Sequence, residues 1–154
     1  MNTDDKTIVI GCDHAAVELK EKIKSFLKEF SINTHDVGPF DNASVDYPDY
    51  GRDVAESVSS GKFKRGILLC GTGIGMSMVA NRFPGVRAAR CSGIFDVLMS
   101  RRHNDANILV LGGRVLGDTL ALEMVRIWLE TPFEGDRHQR RLDKFDTISR
   151  VEDR

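Results

Sequence analysis

Five short strand-like runs, separated by segments of helical periodicity, restrict the fold of this chain more than any other feature. The runs occupy residues 6–12, 32–38, 65–70, 86–91 and 107–113, of which 32–38 alternates only weakly between apolar and polar residues. After the first run, apolar residues recur at spacings of three and four, as on one face of a helix; they are Ala16, Leu19, Ile23, Phe26 and Phe30, with Lys20, Glu21, Lys24 and Lys28 on the outer face. Strands that alternate with helices predict an α/β fold around a mainly parallel, five-stranded sheet.

The length of 154 residues fits one domain spanning residues 1–154. From about residue 132 the periodic body gives way to the stretch ETPFEGDRHQRRLDKF. This stretch predicts a C-terminal helical arm over residues 132–154.

Composition excludes several classes of protein. With 22 basic and 23 acidic residues, the net charge of −1 excludes a globally basic nucleic-acid binder. No apolar run approaches the roughly 20 residues of a membrane span. The three cysteines lack CxxC spacing, which disfavours a disulfide framework and a zinc site and favours a reducing compartment. We therefore expect a cytoplasmic protein that binds neither membrane nor nucleic acid.

Three loops should meet at one edge of the predicted sheet. In parallel sheets, ligands bind beyond the carboxyl ends of the strands. The loops that follow the first, third and fifth predicted strands are GCDH (11–14), CGTGIG (70–75) and LGGR (111–114). This edge is therefore the predicted ligand site.

The glycine-rich loop that begins at Cys70 allows several interpretations. A dinucleotide fingerprint would fit Gly71 and Gly73 but requires a third glycine where Met76 stands. A cysteine phosphatase loop would need arginine at that same position to neutralise a phosphoryl group. An inert core cysteine is the ordinary alternative. The position of Cys70, between a strand end and a helix N-terminus, favours a thiol that acts as base or nucleophile.

Basic and histidine residues form a second constellation. Arg137 and Arg141 share one predicted helix face and could bind phosphate through their planar forks, although a solvated charged arm is an alternative. His14 follows the first strand and is a candidate phosphate contact. The triplet HND begins at His103 and precedes the fifth strand, so it lies at the amino edge, opposite Cys70. A site that uses both residues would need a second chain, unless HND is merely a capping turn.

Several long stretches resemble the sugar-phosphate isomerase family that contains ribose-5-phosphate isomerase B and the galactose-6-phosphate isomerase subunits. They are GCDHAAVELK, DYPDYG, GILLCGTGIGMSMVANRFPGVRAA, HNDANILVLGGRVLG and FEGDRHQRRL, in the family's order. The resemblance implies a three-layer, Rossmann-like α/β/α sandwich that forms homodimers or dimers of dimers with shared active sites. It also implies an aldose–ketose isomerase that needs neither metal nor cofactor and interconverts ribose 5-phosphate and ribulose 5-phosphate through a cis-enediolate.

The resemblance assigns a role to each matching residue. Cys70 corresponds to the base, Thr72 to an assisting hydroxyl, and His103 to the residue that opens the furanose ring. The positions that correspond to substrate contacts are Asp13, His14, Tyr47, Gly71, Gly73, Ile74, Gly75, Asn104, Arg114, Arg137 and Arg141. The loop amides between Gly71 and Gly75 correspond to the donors that bind the enediolate.

This chain also departs from the family. Ala16-Val17 replaces a common Gly-Tyr pair, and Arg90 stands where an apolar strand residue is common. These departures leave the length of the sugar open, so a six-carbon aldose 6-phosphate of the allose or galactose type is an alternative substrate. A non-catalytic sugar-phosphate sensor is the alternative from another class.

Overall fold

The structure, a computed structural model, describes residues 6–148 as alternating strands and helices. The strands are β1 (Thr7–Cys12), β2 (Asn33–Asp36), β3 (Gly66–Cys70), β4 (Ala88–Arg90) and β5 (Ile108–Gly112). The helices are α1 (Val17–Glu29), α2 (Tyr47–Ser59), α3 (Ile74–Ala80), α4 (Ile94–Arg102), α5 (Asp118–Glu130), α6 (Arg137–Leu142) and α7 (Phe145–Ile148). Each predicted strand is confirmed, with its ends shortened by up to two residues.

The five strands form one sheet in the order β2-β1-β3-β5-β4, and every neighbouring pair is parallel. The predicted α/β fold is therefore confirmed, with a sheet that is entirely rather than mainly parallel. β3 and β5 are buried along their whole length, which explains why both read as continuous apolar runs.

Two apolar layers cover the two faces of the sheet. Alternate side chains of β3 point to opposite faces, so Ile67 and Leu69 pack with α1, α4 and α5, where Trp128 is fully buried. Leu68 and Cys70 point to the other face and pack with α2 and α3. The predicted three-layer sandwich is confirmed, and Cys70 belongs to the layer that α2 and α3 cover.

Lys20 corrects the prediction of a solvated outer face on α1. Its side chain is fully buried. There Nζ donates hydrogen bonds to Asp36 Oδ1 at 2.8 Å and to the Pro39 carbonyl at 2.6 Å. Lys24 Nζ adds a bond of 2.7 Å to the other Asp36 oxygen. Because a buried cation is tolerated only when it is paired and hydrogen-bonded, these contacts hold the segment after β2 against α1.

The predicted C-terminal arm contains the short helices α6 and α7, and its residues 149–154 lie outside the described part. Buried Arg101 ties the beginning of the arm to the turn before β5. It donates to the Thr131 carbonyl at 3.3 Å, to Asp105 Oδ1 at 2.8 Å and to the Ala106 carbonyl at 2.8 Å. None of the helices between residues 6 and 148 is both long and apolar enough to cross a membrane.

Candidate active site

The three predicted loops meet at the carboxyl edge because β1, β3 and β5 are adjacent in the sheet. Asp13 N–H donates to the Leu69 carbonyl at 3.1 Å, which joins the first loop to β3. Gly113 N–H donates to the Cys70 carbonyl at 2.8 Å, and Arg114 N–H donates to the Gly71 carbonyl at 3.0 Å. The predicted convergence is therefore confirmed.

Cys70 is the last residue of β3 and is 5% exposed. Its Sγ accepts a hydrogen bond of 3.1 Å from Gly73 N–H, and Thr72 Oγ1 accepts one of 3.2 Å from Ile74 N–H. Two of the loop N–H groups therefore donate hydrogen bonds to side chains of the same loop. The hydrogen bond from Gly73 fixes the position of the Cys70 sulfur relative to the glycine-rich loop.

The other two cysteines have a different environment. Burial raises the pKa of Cys12 to about 12 and that of Cys91 to about 11. Both therefore stay protonated near neutral pH and behave as apolar core residues.

At two positions of this edge, neighbouring atoms lie so close to the backbone that only glycine fits. A Cβ on Gly112 would lie 2.8 Å from the Thr72 carbonyl oxygen. A Cβ on Gly75 would lie 2.5 Å from Tyr47 Cζ, so the tyrosine ring lies directly against the loop. Tyr47 begins α2 and is 38% exposed, so its ring is not part of the core.

The first loop contributes Asp13 and His14. Asp13 is buried, and its Oδ1 accepts a hydrogen bond of 2.9 Å from Ala15 N–H in the turn before α1. His14 Nδ1 accepts a hydrogen bond of 3.2 Å from Val45 N–H. In the neutral imidazole the proton is then on Nε2, which leaves His14 with a donor for a ligand.

Arg114 completes the carboxyl edge. Its side chain lies over Gly71, where an added Cβ would be 3.5 Å from Arg114 Cδ. The sequence-predicted residues at this edge are Asp13, His14, Tyr47, Cys70, Gly71, Thr72, Gly73, Ile74, Gly75 and Arg114.

A second cluster surrounds His103, which directly follows α4. Its ring stacks on that of His138 in α6, with centroids 4.2 Å apart and planes 13° apart. Glu134 Oε2 lies 3.5 Å from His138 Nε2 and 4.0 Å from His103 Nε2. Burial lowers the pKa of His138, and the neighbouring His103 and Arg137 lower it further. His138 is therefore uncharged near neutral pH.

These two histidines and Glu134 offer ligand atoms within 4.8 Å of one another, a set that a metal could use. Two positively charged guanidinium groups lie close to this set and would repel a metal cation. Arg137 Nε lies 3.4 Å from His138 Nε2, and Arg102 Nε lies 4.0 Å from Glu134 Oε1. The local charge therefore suits an anion better than a metal.

The cluster around His103 lies at the opposite edge of the sheet from Cys70. His103 and Asn104 precede β5, whereas Cys70 pairs with Gly112 at its end. At about 3.3 Å per residue, the strand alone separates the two edges by roughly 13 Å. The structure thus separates His103, Asn104, Arg137 and Arg141 from the ten residues of the carboxyl edge.

A groove of about 840 Å³ contains none of the predicted site residues. It lies between α6, α7 and the segment that links α3 to β4, with Arg87, Asp105 and Gln139 in its lining.

Two residues in these clusters had no predicted site role. Glu134 contacts both histidines, and only the proximity of two distant segments reveals this. Arg90 was noted as a departure from the family, and its Nε donates to the Thr72 carbonyl at 3.0 Å. The sequence did indicate that Arg90 is unusual, because it is a charged residue at the end of an otherwise apolar strand.

Comparison with known proteins shows the family to which this fold belongs. A family described as Ribose/Galactose Isomerase matches residues 8–145. Ribose-5-phosphate isomerase B of Escherichia coli is 43% identical over 143 residues, which are 93% of this chain and 96% of that protein. A D-erythrulose-4-phosphate isomerase of Pectobacterium atrosepticum is 39% identical and covers 90% of this chain and 91% of its own.

The structure of ribose-5-phosphate isomerase B from Clostridium thermocellum superimposes with a TM-score of 0.93 at 49% identity. The match covers 95% of this chain and 99% of that one.

Proposed function

This chain belongs to the ribose/galactose isomerase family and is an aldose–ketose isomerase, and we propose that it interconverts ribose 5-phosphate and ribulose 5-phosphate with Cys70 as the base. The observation that carries the assignment of Cys70 is the hydrogen bond of 3.1 Å from Gly73 N–H to its sulfur. This contact supports Cys70 as the thiol that faces a ligand at this edge of the sheet.

The reaction moves a carbonyl group between C1 and C2 of the sugar. One base must remove a proton from one carbon and return it to the other, with a cis-enediolate between the two steps. The Cys70 thiolate takes up that proton, and the Thr72 hydroxyl assists it. Donors must also meet the enediolate oxygen. Gly73 N–H already donates to the Cys70 sulfur. The better candidates for binding the enediolate oxygen are therefore Gly71 N–H and Gly75 N–H. Gly75 lies in the first turn of α3, where backbone N–H groups have no partner within the helix.

His103 opens the furanose ring in this proposal, and Asn104 contacts the open sugar. Both lie at the amino edge, so they act on a sugar held at the Cys70 of a second copy of the chain. The active unit is then a homodimer, or a dimer of dimers, whose two identical sites each combine the two edges. The stacked His138 and the Glu134 carboxylate hold the His103 ring in place.

Phosphate binding belongs to the basic residues. Arg137 and Arg141 lie one turn apart on α6, where their forks suit a phosphate dianion. His14 and Arg114 supply donors from the other edge, while Asp13 and Tyr47 contact the sugar. A remote phosphate orients the reacting carbons through its binding energy.

Replacing Arg137 by alanine should raise KM for ribose 5-phosphate by about tenfold or more and change kcat little, because a phosphate contact persists through the whole reaction. Steady-state kinetics with a coupled assay measures both constants. Arg140→Ala is the matched control, since it removes the same charge from the same helix. A fall in kcat at unchanged KM would contradict the phosphate role of Arg137.

The proposed function is tested by assaying the purified enzyme on ribose 5-phosphate, allose 6-phosphate, galactose 6-phosphate and erythrulose 4-phosphate. We expect the highest kcat/KM on ribose 5-phosphate. A higher value on a six-carbon or four-carbon sugar would overturn the substrate assignment. Binding without turnover of any of them would instead favour a sugar-phosphate sensor.

A further inference from the structure

The side chain of Arg90 reaches from the end of β4 to the Cys70 loop. Its Nε donates a hydrogen bond of 3.0 Å to the Thr72 carbonyl oxygen. Its aliphatic stem lies over Gly73, where an added Cβ would be 3.1 Å from Arg90 Cγ. Arg90 therefore contacts the loop through both its guanidinium and its methylene groups, although it belongs to an edge strand.

The Thr72 carbonyl and the Gly73 N–H belong to the same peptide group. Because a trans peptide is planar, its C=O and N–H point in opposite directions and cannot turn independently. Arg90 Nε binds the oxygen end of this group, and Cys70 Sγ accepts from the nitrogen end at 3.1 Å. One peptide plane is thus held between a guanidinium and a thiol.

The local backbone alone does not choose the orientation of this peptide. Gly73 has a φ of +79°, and glycine adopts positive and negative φ about equally well. A rotated peptide would point the Thr72 carbonyl oxygen toward the sulfur and remove the N–H from it. The donor on Arg90 stabilises the orientation in which the N–H faces Cys70.

We propose that Arg90 is a positioning residue for Cys70, which orients and polarises the peptide between Thr72 and Gly73 so that its N–H stabilises the thiolate. A guanidinium is always protonated, and consecutive hydrogen bonds strengthen one another. An N–H that donates to the charged form of a group favours that form. The inference rests on the proposed function only in taking Cys70 as the base, since the two hydrogen bonds need no substrate.

This role gives a physical meaning to the departure noted at Arg90. An apolar side chain at the end of β4 could still pack over Gly73 but could not donate to the Thr72 carbonyl. The control of the thiol through Arg90 is therefore a property of chains with arginine here, not of the fold as a whole.

The rate at which iodoacetamide alkylates Cys70 in the substrate-free protein tests the proposal. Cys12 and Cys91 are buried thiols with pKa values of about 12 and 11, so they react negligibly near neutral pH. Arg90→Met keeps the unbranched stem over Gly73 but removes the donor. We expect alkylation near neutral pH to slow by about tenfold in Arg90→Met.

Arg90→Lys keeps a cationic donor and should recover part of the rate, while Arg126→Met, which removes a surface guanidinium from α5, should leave it unchanged. The value of kcat for ribose 5-phosphate should fall in Arg90→Met by a similar factor, with KM unchanged. A wild-type alkylation rate in Arg90→Met would overturn the proposal. So would an equal loss in Arg90→Lys, because it would indicate altered packing and not the loss of a donor. Failure of Cys70 as the base would appear separately, as isomerase activity that survives Cys70→Ser.

Discussion

Replacing Cys70 by alanine or serine is expected to lower kcat for ribose 5-phosphate by at least about 10²-fold, as the loss of a general base does. KM should change little, because the proposed phosphate contacts are untouched. Serine keeps an acceptor for Gly73 N–H at nearly the same size, so the loop retains its geometry. A serine hydroxyl is nevertheless too weakly acidic to lose its proton near neutral pH, so it cannot act as the base. Steady-state kinetics of both variants measures the effect.

Cys91→Ala is the matched control for that experiment. Cys91 is also a buried thiol that follows a strand, but burial raises its pKa to about 11 and its sulfur contacts the Ala89 carbonyl at 3.6 Å instead of the glycine-rich loop. Its removal should leave kcat within about twofold and cost only the stability that a small cavity costs. A near-normal kcat in Cys70→Ser would remove Cys70 from the mechanism.

Two inactive variants should restore activity to each other when they form a mixed dimer. Cys70→Ser and His103→Asn each change both sites of a homodimer. If every site combines Cys70 of one chain with His103 of the other, the mixed dimer has one site with both changes and one with neither. The isolated mixed dimer should then show about half of the wild-type activity, because the two sites of a symmetric dimer are equivalent.

The two variants can be co-expressed with different affinity tags and the mixed dimer purified on both tags in sequence. The control is a mixed dimer of wild type and Cys70→Ser, which should also retain about half of the activity under either arrangement. The mixed dimer of Cys70→Ser and His103→Asn distinguishes a site shared between chains from a site within one chain. An inactive one would mean that Cys70 and His103 of the same chain act together, which contradicts the shared site.

Much of the fold was accessible from local patterns. The apolar runs of β1, β3 and β5 predicted these strands, because a strand buried on both faces must be apolar along its length. The two edge strands, β2 and β4, are partly exposed and gave weaker patterns. The parallel pairing of the strands then predicted that the loops after β1, β3 and β5 share an edge, and Asp13, Cys70 and Arg114 do lie there. The domain boundaries of 1–154 and the cytoplasmic location stay predictions.

The prediction failed where a side chain's environment depends on a distant segment. Helical periodicity placed Lys20 on the solvated face of α1, yet its ammonium is fully buried against Asp36 and Pro39. Periodicity describes one helix alone. It contains no information about the end of β2, which supplies the Asp36 carboxylate, or about the segment after β2, which supplies the Pro39 carbonyl.

The order of strands and helices, the edge at which Cys70 lies and the opposite edge at which His103 lies all follow from the amino-acid sequence, because period and connection are local properties. The contacts that give these residues their chemistry belong to the tertiary structure. The hydrogen bond from Arg90 to the Thr72 carbonyl spans 18 positions, and the stacking of His103 on His138 joins two segments that only the path of the arm brings together. Such contacts depend on the order of strands in the sheet and on helix packing, which bring residues together regardless of their separation along the chain.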